Sequence, residues 1–193
     1  MGISINGDEY QIVRLSFPGA QLARYLDRGL KDEGIFARER DGVELVQSNF
    51  SPELTDRFVR EVCKWGGYAG VAGKVLRANR IEDVVSTMRV SYAATQEGDL
   101  ERAISAITSL RGLAVSFGSK HLKFLDPNNH VVLDRIIRER LGDPRTIGGY
   151  CEFNADCASL RDAVNGEGYR RSDGRPFRIA DVEMAVFQML GDG

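Results

Sequence analysis

The stretch that decides the fold class is residues 112–127, GLAVSFGSKHLKFLDP. Gly112 predicts a tight turn, because glycine adopts backbone conformations that other residues avoid. A helix is predicted after this turn, and it ends before Asp126-Pro127 because proline disfavours helix in the residue that precedes it. A short loop then leads to Asp134, where the next helix is predicted to begin.

Helical patterns extend on both sides of this stretch. Ser51-Pro52 is a good helix start, because serine caps a helix and proline fits its first position. Asp99 is likewise predicted to cap a helix. The remaining helices are predicted over residues 71–79, 81–95, 100–112, 135–141, 158–164 and 179–190. The short connections between them indicate a compact, mainly helical array.

The first fifty residues have a mixed character. Three elements are predicted there: a strand over residues 10–15, a helix that Pro18 opens and that ends near Gly34, and a short strand over residues 35–40 that closes at Asp41-Gly42. We therefore predict an accessory α/β segment over residues 1–50 and one helical domain over residues 51–193.

The composition is that of an ordinary globular protein. The chain has 193 residues, of which 42% are hydrophobic and 28% are charged, and this argues against wholesale disorder. Its formal net charge of −2 is unlike that of a basic nucleic-acid coat protein. DNA binding is still compatible with it, because one local basic face is enough to contact phosphates. The sequence has two basic concentrations. One consists of Arg135, Arg138, Arg140 and Arg145, and the other of Arg170, Arg171, Arg175 and Arg178. The alternative interpretation is that both are solvated surface arginines.

The sequence predicts a cytoplasmic protein without a cofactor. Residues 1–8 have neither a basic leader nor a long apolar stretch, and no run is long enough to span a membrane. The three cysteines are scattered and form no CxxC pair, which suits reduced thiols better than disulfides. Together with the two histidines they are a poor ligand set for zinc or an iron–sulfur cluster, so we expect no metal.

Two residues have the chemistry of a nucleophile and its acid–base partner. Lys120 is flanked by apolar residues, and an amine beside an apolar wall loses hydration, which favours its neutral, nucleophilic form. Asp134 is predicted at a helix start, where backbone N–H groups hold a carboxylate in its charged form. The fourteen-residue separation allows a helix, a turn and a return, a path that brings both side chains to one cleft. Imine formation at a sugar carbon requires a neutral amine beside a fixed carboxylate.

The same residues also have a purely structural interpretation. Lys120 can be a surface lysine whose stem packs over the core, and Asp134 can be a helix cap and nothing more. Trp65, Tyr68 and Phe117 offer aromatic faces on which a flipped base stacks, but aromatic side chains also build cores. Spacing in the sequence does not decide between these interpretations.

Three motifs follow one another in the central part of the chain: Gly112-Leu113, Ser119-Lys120-His121-Leu122-Lys123-Phe124 and Leu133-Asp134. They resemble the helix–hairpin–helix DNA glycosylase superfamily. They are most similar to compact bacterial proteins with an 8-oxoguanine DNA glycosylase fold, whose pattern is a glycine hairpin, then Ser/Thr-Lys-x-Leu-x-Phe, then Leu-Asp before a helix. Residues 64–67 and 179–183 also resemble parts of that family, so the likeness covers about residues 51–190.

The resemblance implies a glycosylase-like helical array that excises an oxidised or modified purine from double-stranded DNA. Lys120 would attack the sugar C1′, Asp134 would assist departure of the base, and a Schiff-base intermediate would permit strand nicking. The hairpin would bind phosphate through backbone N–H groups. We expect a monomer with no membrane partner, DNA contacts at Gly112, Ala114, Ser116, Arg135 and Arg138, and a base pocket at Trp65, Tyr68 and Phe117.

The chain departs from the family pattern in two places. The hairpin reads Gly112-Leu113-Ala114 and lacks the second glycine that lets a backbone approach a phosphate. In the larger glycosylases of the superfamily the lysine lies inside the hairpin, and that position here is Val115. The alternative prediction is therefore a catalytically inactive nucleic-acid-binding or interaction module with the same fold.

Overall fold

The structure is a computed structural model that describes residues 4–6, 9–12, 15–18, 24–25, 28, 33–142 and 145–191. Its described part is mainly helical, with nine helices and three short strands, so the predicted mainly α class is confirmed. Contacts within the chain define two compact units, residues 33–132 and residues 1–32 with 133–193. The boundary at residue 50 between an accessory segment and a helical domain stays a prediction.

The described N-terminal residues form a small antiparallel sheet. Its strands are β1 (Ser4–Asn6), β2 (Glu9–Ile12) and β3 (Leu15–Pro18), in the order β1-β2-β3. The single strand predicted over residues 10–15 is thus divided between two strands. Pro18 ends β3 instead of opening a helix, in keeping with the tolerance of strand ends for proline. Of the helix predicted after it, only Arg24, Tyr25 and Arg28 lie within the described residues below residue 33, and all three are helical.

Six helices build the unit of residues 33–132. They are α1 (Glu33–Gln47), α2 (Pro52–Trp65), α3 (Ala69–Ala78), α4 (Ile81–Gln96), α5 (Leu100–Thr108) and α6 (Val115–Leu125). Two predicted caps are confirmed, because Ser51 accepts a hydrogen bond from the Leu54 N–H and Asp99 accepts one from the Arg102 N–H. Both bonds satisfy backbone donors that the helix itself leaves unpaired.

The prediction of a strand over residues 35–40 is wrong. These residues belong to α1, which continues through Gly42 and buries Ile35, Gly42 and Leu45 along one side. The buried positions are seven and three residues apart, which is a helical spacing. Gly42 lies inside the helix and does not end it. Its lack of a side chain allows α1 to lie against the backbone of α6.

The glycine turn between α5 and α6 is where the sequence predicted it. Gly112 has a φ of +90°, which glycine adopts at little cost. The helix before it ends earlier than predicted, at Thr108 instead of Gly112, whereas α6 ends before Asp126 as predicted. Gly118 brings α6 close to α5, since a Cβ there would lie 3.0 Å from Thr108 Cγ2.

Three helices form most of the other unit: α7 (Arg135–Leu141), α8 (Ile147–Gly166) and α9 (Ile179–Gly191). Asp134 is the N-cap residue of α7 and Gly142, with a φ of +78°, is its C-cap residue, as the sequence predicted. α8 is much longer than the predicted helix over residues 158–164. It begins at Ile147, where the Thr146 side chain accepts a hydrogen bond from the Gly149 N–H. α9 packs against α7 and α8.

Candidate functional site

Lys120 is a buried residue of α6. Its residue surface is only 6% exposed, so the interpretation as a surface lysine does not apply. The Nζ atom donates to the carbonyl oxygen of Ser116 at 3.4 Å and to its hydroxyl at 3.5 Å, and it lies 5.2 Å from the centre of the Phe117 ring. The amine therefore points back toward the start of its own helix, which follows the Gly112 turn.

The end of α2 forms a wall beside the Lys120 stem. A Cβ built on Gly66 would lie 3.0 Å from Lys120 Cδ, 3.2 Å from Lys120 Cε and 2.9 Å from Phe117 Cε1. Cys63, one turn earlier in α2, is fully buried. Burial raises the pKa of its thiol to about 11, although the positive charge of Lys120 acts in the opposite direction. At neutral pH the group beside the amine is thus a neutral thiol.

His121 adds a neutral imidazole next to Lys120 in the chain. It is fully buried, its Nδ1–H donates to the Phe117 carbonyl at 2.7 Å, and its ring meets Phe58 edge-on. Burial lowers its pKa to about 4; the hydrogen bond to Phe117 raises it and the Lys120 charge lowers it further. The Nε2 atom has no hydrogen-bond partner among the described residues. His121 is therefore uncharged at neutral pH.

A second buried lysine, Lys123, lies one turn further along α6. It is 2% exposed, and its Nζ lies 5.8 Å from the centre of the Trp65 ring. Trp65 in turn packs edge-on against Phe124, with ring centres 4.7 Å apart. α6 thus carries two lysines that the protein removes from solvent, and sequence reasoning singled out only Lys120.

The three aromatic residues predicted to form a base pocket differ in their surroundings. Phe117 is half-buried and lies beside the Lys120 amine, and Trp65 is half-buried and packs against Lys123 and Phe124. Tyr68 is 72% exposed and precedes α3. Phe117 therefore lies at the amine, while Tyr68 offers an open aromatic face.

The hairpin between α5 and α6 is held in place by Asn79, at the end of α3. Its side-chain carbonyl accepts from the Arg111 N–H at 3.1 Å, and its amide donates to the Arg111 carbonyl at 3.0 Å and to the Val75 carbonyl at 2.8 Å. Ala114 occupies the N-cap position of α6, and no side chain caps the helix there. Gly112 and Ala114 are exposed. Uncapped N–H groups after a fixed turn are suited to an anion.

Ser116 has a different position from the other predicted DNA contacts of the hairpin. Its carbonyl and hydroxyl oxygens both accept hydrogen bonds from the Lys120 amine. The residue is half-buried within the first turn of α6. It therefore links the hairpin to the amine.

Asp134 uses one of its two carboxylate oxygens to cap α7. Its Oδ1 accepts from the N–H groups of Ile136 at 2.9 Å and Ile137 at 3.0 Å. Within the described part of the chain, no donor is seen on Oδ2. The predicted cap is thus confirmed, and the second oxygen is left to accept from another group.

The start of the loop that precedes Asp134 is fixed by side chains of the unit of residues 33–132. Asp126 accepts from the Asn128 N–H at 3.0 Å and from the Asn129 and Gln96 amides at 2.9 and 3.2 Å. His130 is buried and lies 2.7 Å from the Thr95 hydroxyl. Burial lowers the pKa of His130 to about 4, although the Asp126 charge raises it. This part of the loop is therefore held by buried polar contacts rather than by helical bonds.

The predicted DNA contacts Arg135 and Arg138 lie on α7. Both pair with Glu139, at 3.4 and 3.2 Å, and Arg145 approaches the same carboxylate at 4.0 Å. Arg135 is exposed, with a side chain 73% accessible, whereas that of Arg138 is only 17% accessible. One carboxylate, that of Glu139, is therefore shared by three arginines.

The second basic concentration is divided: Arg170 and Arg175 are exposed, whereas Arg171 and Arg178 pair inside their unit. Arg178 makes a bidentate pair with Asp181, and Arg171 contacts the same carboxylate at 3.3 Å. Asp181 is only 1% exposed. Because these charges are neutralised within their own unit, Arg171 and Arg178 stabilise the start of α9 rather than offer a basic surface.

The predicted site residues are divided between the two units. Lys120, the hairpin and the three aromatic residues belong to residues 33–132, and Asp134, Arg135 and Arg138 belong to the other unit. In the described part of the chain, no group of three histidine, cysteine or acidic side chains is arranged to hold a metal ion. Nor does any described helix have the length and apolar character needed to cross a membrane. Comparison with known proteins gives no relative: no family model, curated protein or solved structure matches the chain.

Proposed function

We propose that the protein is a DNA glycosylase with a lyase step, which excises an oxidised or modified purine from double-stranded DNA. Lys120 is the nucleophile and Asp134 the assisting carboxylate. The observation that carries this proposal is the position of the Lys120 amine, buried at the start of a helix that follows a glycine hairpin. A lysine withdrawn from water and lined by an aromatic ring has the setting of an amine nucleophile.

The proposed reaction uses the amine in its neutral form, and loss of hydration disfavours the charged form of a buried amine. The Nζ lone pair bonds to C1′ of the flipped nucleotide, and the C1′–N bond to the base breaks. The base leaves with that electron pair and takes up a proton. Loss of a proton from nitrogen and opening of the sugar ring then give the Schiff base, from which the strand can be nicked.

Asp134 is proposed to stabilise the positive charge that develops on the sugar. Its Oδ1 accepts hydrogen bonds from two backbone N–H groups, which keep the carboxylate oriented. Its Oδ2 is the oxygen proposed to face the sugar or to exchange a proton. The carboxylate therefore serves as a helix cap and as an acid–base group through different oxygens.

The proposed DNA contacts follow from two features of the chain. Asn79 holds the hairpin, and the N–H groups at the start of α6 after it are not capped by a side chain. Both features support a helix–hairpin–helix arrangement that binds phosphate. The arginines of α7 supply the positive charge that attracts a phosphate backbone. The N-terminal sheet is proposed to belong to an accessory α/β element. We propose a cytoplasmic monomer that acts without a cofactor.

Borohydride trapping on a panel of duplexes, each with a different modified base, tests the proposal. The expected result is a covalent protein–DNA adduct that is lost in Lys120→Gln. Lys123→Gln is the matched control, since Lys123 is equally buried on the same helix, and its adduct is expected to persist. An adduct that persists in Lys120→Gln, or base release at the wild-type rate in that variant, contradicts the assignment.

The second candidate function is a nucleic-acid-binding module without chemistry. It is favoured by the way the hairpin is held. Asn79 fixes Arg111 through hydrogen bonds in which Lys120 takes no part, so the hairpin can serve a protein that has no catalytic lysine. Salt-dependent binding of duplexes, without base release or an adduct from any of them, would support the module. Failure to bind any duplex at low salt would exclude both candidates.

A further inference from the structure

Gly66 lies at the end of α2 in a backbone conformation that any residue can adopt. Its φ is −69° and its ψ is 4°, so the turn itself does not require glycine there. The next residue, Gly67, is the opposite case: its φ is +83°, and a Cβ on it would meet nothing within 4 Å. The absence of a side chain at Gly66 must therefore have another reason than the path of the backbone.

The space that a side chain at Gly66 would fill is already occupied by Lys120 and Phe117. A Cβ would lie 3.0 and 3.2 Å from the Cδ and Cε atoms of Lys120, and 2.9 Å from the ring of Phe117. These contacts are shorter than two carbon atoms normally keep. A Cβ at Gly66 would therefore require the Lys120 stem and the Phe117 ring to shift from their observed positions.

We infer that Gly66 is a positioning residue for the Lys120 amine. It admits the far end of the Lys120 stem to the end of α2, and this path directs Nζ toward Ser116 instead of toward water. The nucleophilic role of the amine rests on the proposed function. The positioning of the amine does not, since it is a contact within the unit of residues 33–132.

The geometry indicates why this matters for an amine. A lysine stem has many rotamers, and confinement between Gly66 and Phe117 leaves few of them available. The three atoms nearest to a Cβ at Gly66 all belong to the side chains of Lys120 and Phe117, and none of them is a backbone atom. The fold can therefore survive the change while the amine moves. A displacement of about 1 Å at a reacting group can lower a rate by about 100-fold.

The test compares Gly66→Ala with Gly70→Ala. Gly70 lies in the first turn of α3, where a Cβ would meet nothing within 4 Å, so it controls for the loss of a glycine in the same region. The first measurement is reductive methylation with formaldehyde and borohydride in the absence of DNA, with labelling of each lysine read by mass spectrometry. We expect Lys120 to react several-fold faster in Gly66→Ala, with Lys64 and Lys74 unchanged, and Gly70→Ala to behave as wild type.

The second measurement is the rate of borohydride trapping on the duplex that wild type attacks best, together with DNA affinity. We expect Gly66→Ala to trap about 10- to 100-fold more slowly while the dissociation constant changes less than about twofold. If wild type forms no adduct, the proposed function fails, and the methylation rates still test the positioning role. Wild-type methylation of Lys120 in Gly66→Ala overturns the inference.

A further pair of variants covers the case in which Gly66→Ala does not fold. Phe117→Leu removes the ring carbon that makes the shortest contact, so alanine at residue 66 then meets mainly the Lys120 stem. Lys120 is expected to be methylated several-fold faster in the double variant than in Phe117→Leu alone. Equal methylation in these two proteins overturns the inference as well.

Discussion

Gly42 in α1 lies directly against the carbonyl group of Phe124 in α6. A Cβ at Gly42 would stand 1.9 Å from the Phe124 oxygen and 2.8 Å from its carbonyl carbon. Both are backbone atoms of a helix, so they cannot move aside as a flexible side chain can. The two helices can pack at this distance only with glycine at residue 42.

Gly42→Ala is therefore expected to lower the free energy of unfolding by roughly 3 kcal/mol or more, through overpacking. Gly73→Ala in α3 is the matched control, because the nearest atom to its Cβ is the mobile end of Arg77 at 3.3 Å. That variant should be neutral or gain up to about 1 kcal/mol in helix stability. Urea denaturation of both variants and wild type measures the difference, and equal midpoints for all three would contradict the packing argument.

Asp134→Asn separates the structural role of this residue from its proposed chemical role. Asparagine also caps helices, so we expect the free energy of unfolding to stay within about 0.5 kcal/mol of wild type. Base release, by contrast, should slow by about 100-fold or more, since the charge beside the sugar is lost. Asp134→Ala should also lose about 1 kcal/mol of stability with the cap. Wild-type base release in Asp134→Asn would show that the residue is a cap alone.

Asn79→Ala tests the role of the hairpin in DNA binding. Asn165→Ala is its counterpart, because Asn165 makes the same two-way hydrogen bond to the backbone of Phe177, at 2.9 Å in each direction. Both substitutions should lower stability by about 1 kcal/mol. Only Asn79→Ala should weaken duplex binding, by about tenfold, which corresponds to 1.4 kcal/mol. Equal affinity of the two variants in fluorescence anisotropy would separate the hairpin from DNA binding.

The buried histidines predict a loss of stability on mild acidification. Burial lowers the pKa values of both His121 and His130 from 6.5 to about 4. Between these two pH values the histidines of the unfolded chain bind protons, whereas the buried histidines of the folded protein stay neutral. The stability that the two neutral histidines contribute is therefore fully present above pH 6.5, and it is lost progressively as the pH falls toward 4.

The expected slope between pH 6 and pH 4.5 is on the order of 1.4 kcal/mol per pH unit for each histidine. Urea denaturation at several pH values measures it. In His121→Gln, one of the two contributions is removed, so the slope should fall by about half. An unchanged slope in this variant would mean that His121 is not the group that resists protonation.

The parts of the fold that sequence predicted best are set by local chemistry. Ser51, Asp99 and Asp134 cap helices through bonds to residues two or three positions ahead, so short patterns reveal them. The end of α6 before Asp126-Pro127 is equally local. The prediction of a strand over residues 35–40 failed because α1 continues through Gly42. Glycine is required there by a contact with Phe124, which lies more than eighty residues away in the chain.

The residues of the candidate site also differ in whether local sequence could predict them. The apolar neighbours of Lys120 in the sequence already pointed to a lysine withdrawn from water. Asn79 and Gly66 were not predicted as site residues, because their role consists of contacts with residues more than thirty positions away. No spacing rule links an asparagine at the end of α3 to a backbone group before Gly112, and only the packed structure brings them together.

Asp181 has a consequence for how the protein responds to ionic strength. Its pairs with Arg171 and Arg178 involve a carboxylate that water scarcely reaches, so dissolved ions screen them weakly. Arg135 of α7 and Arg145, which lie around Glu139, are more open, and at 0.15 M ionic strength the Debye length of about 8 Å shortens the reach of their charges. Raising the electrolyte concentration should thus release a bound polyanion from α7 well before it loosens the start of α9.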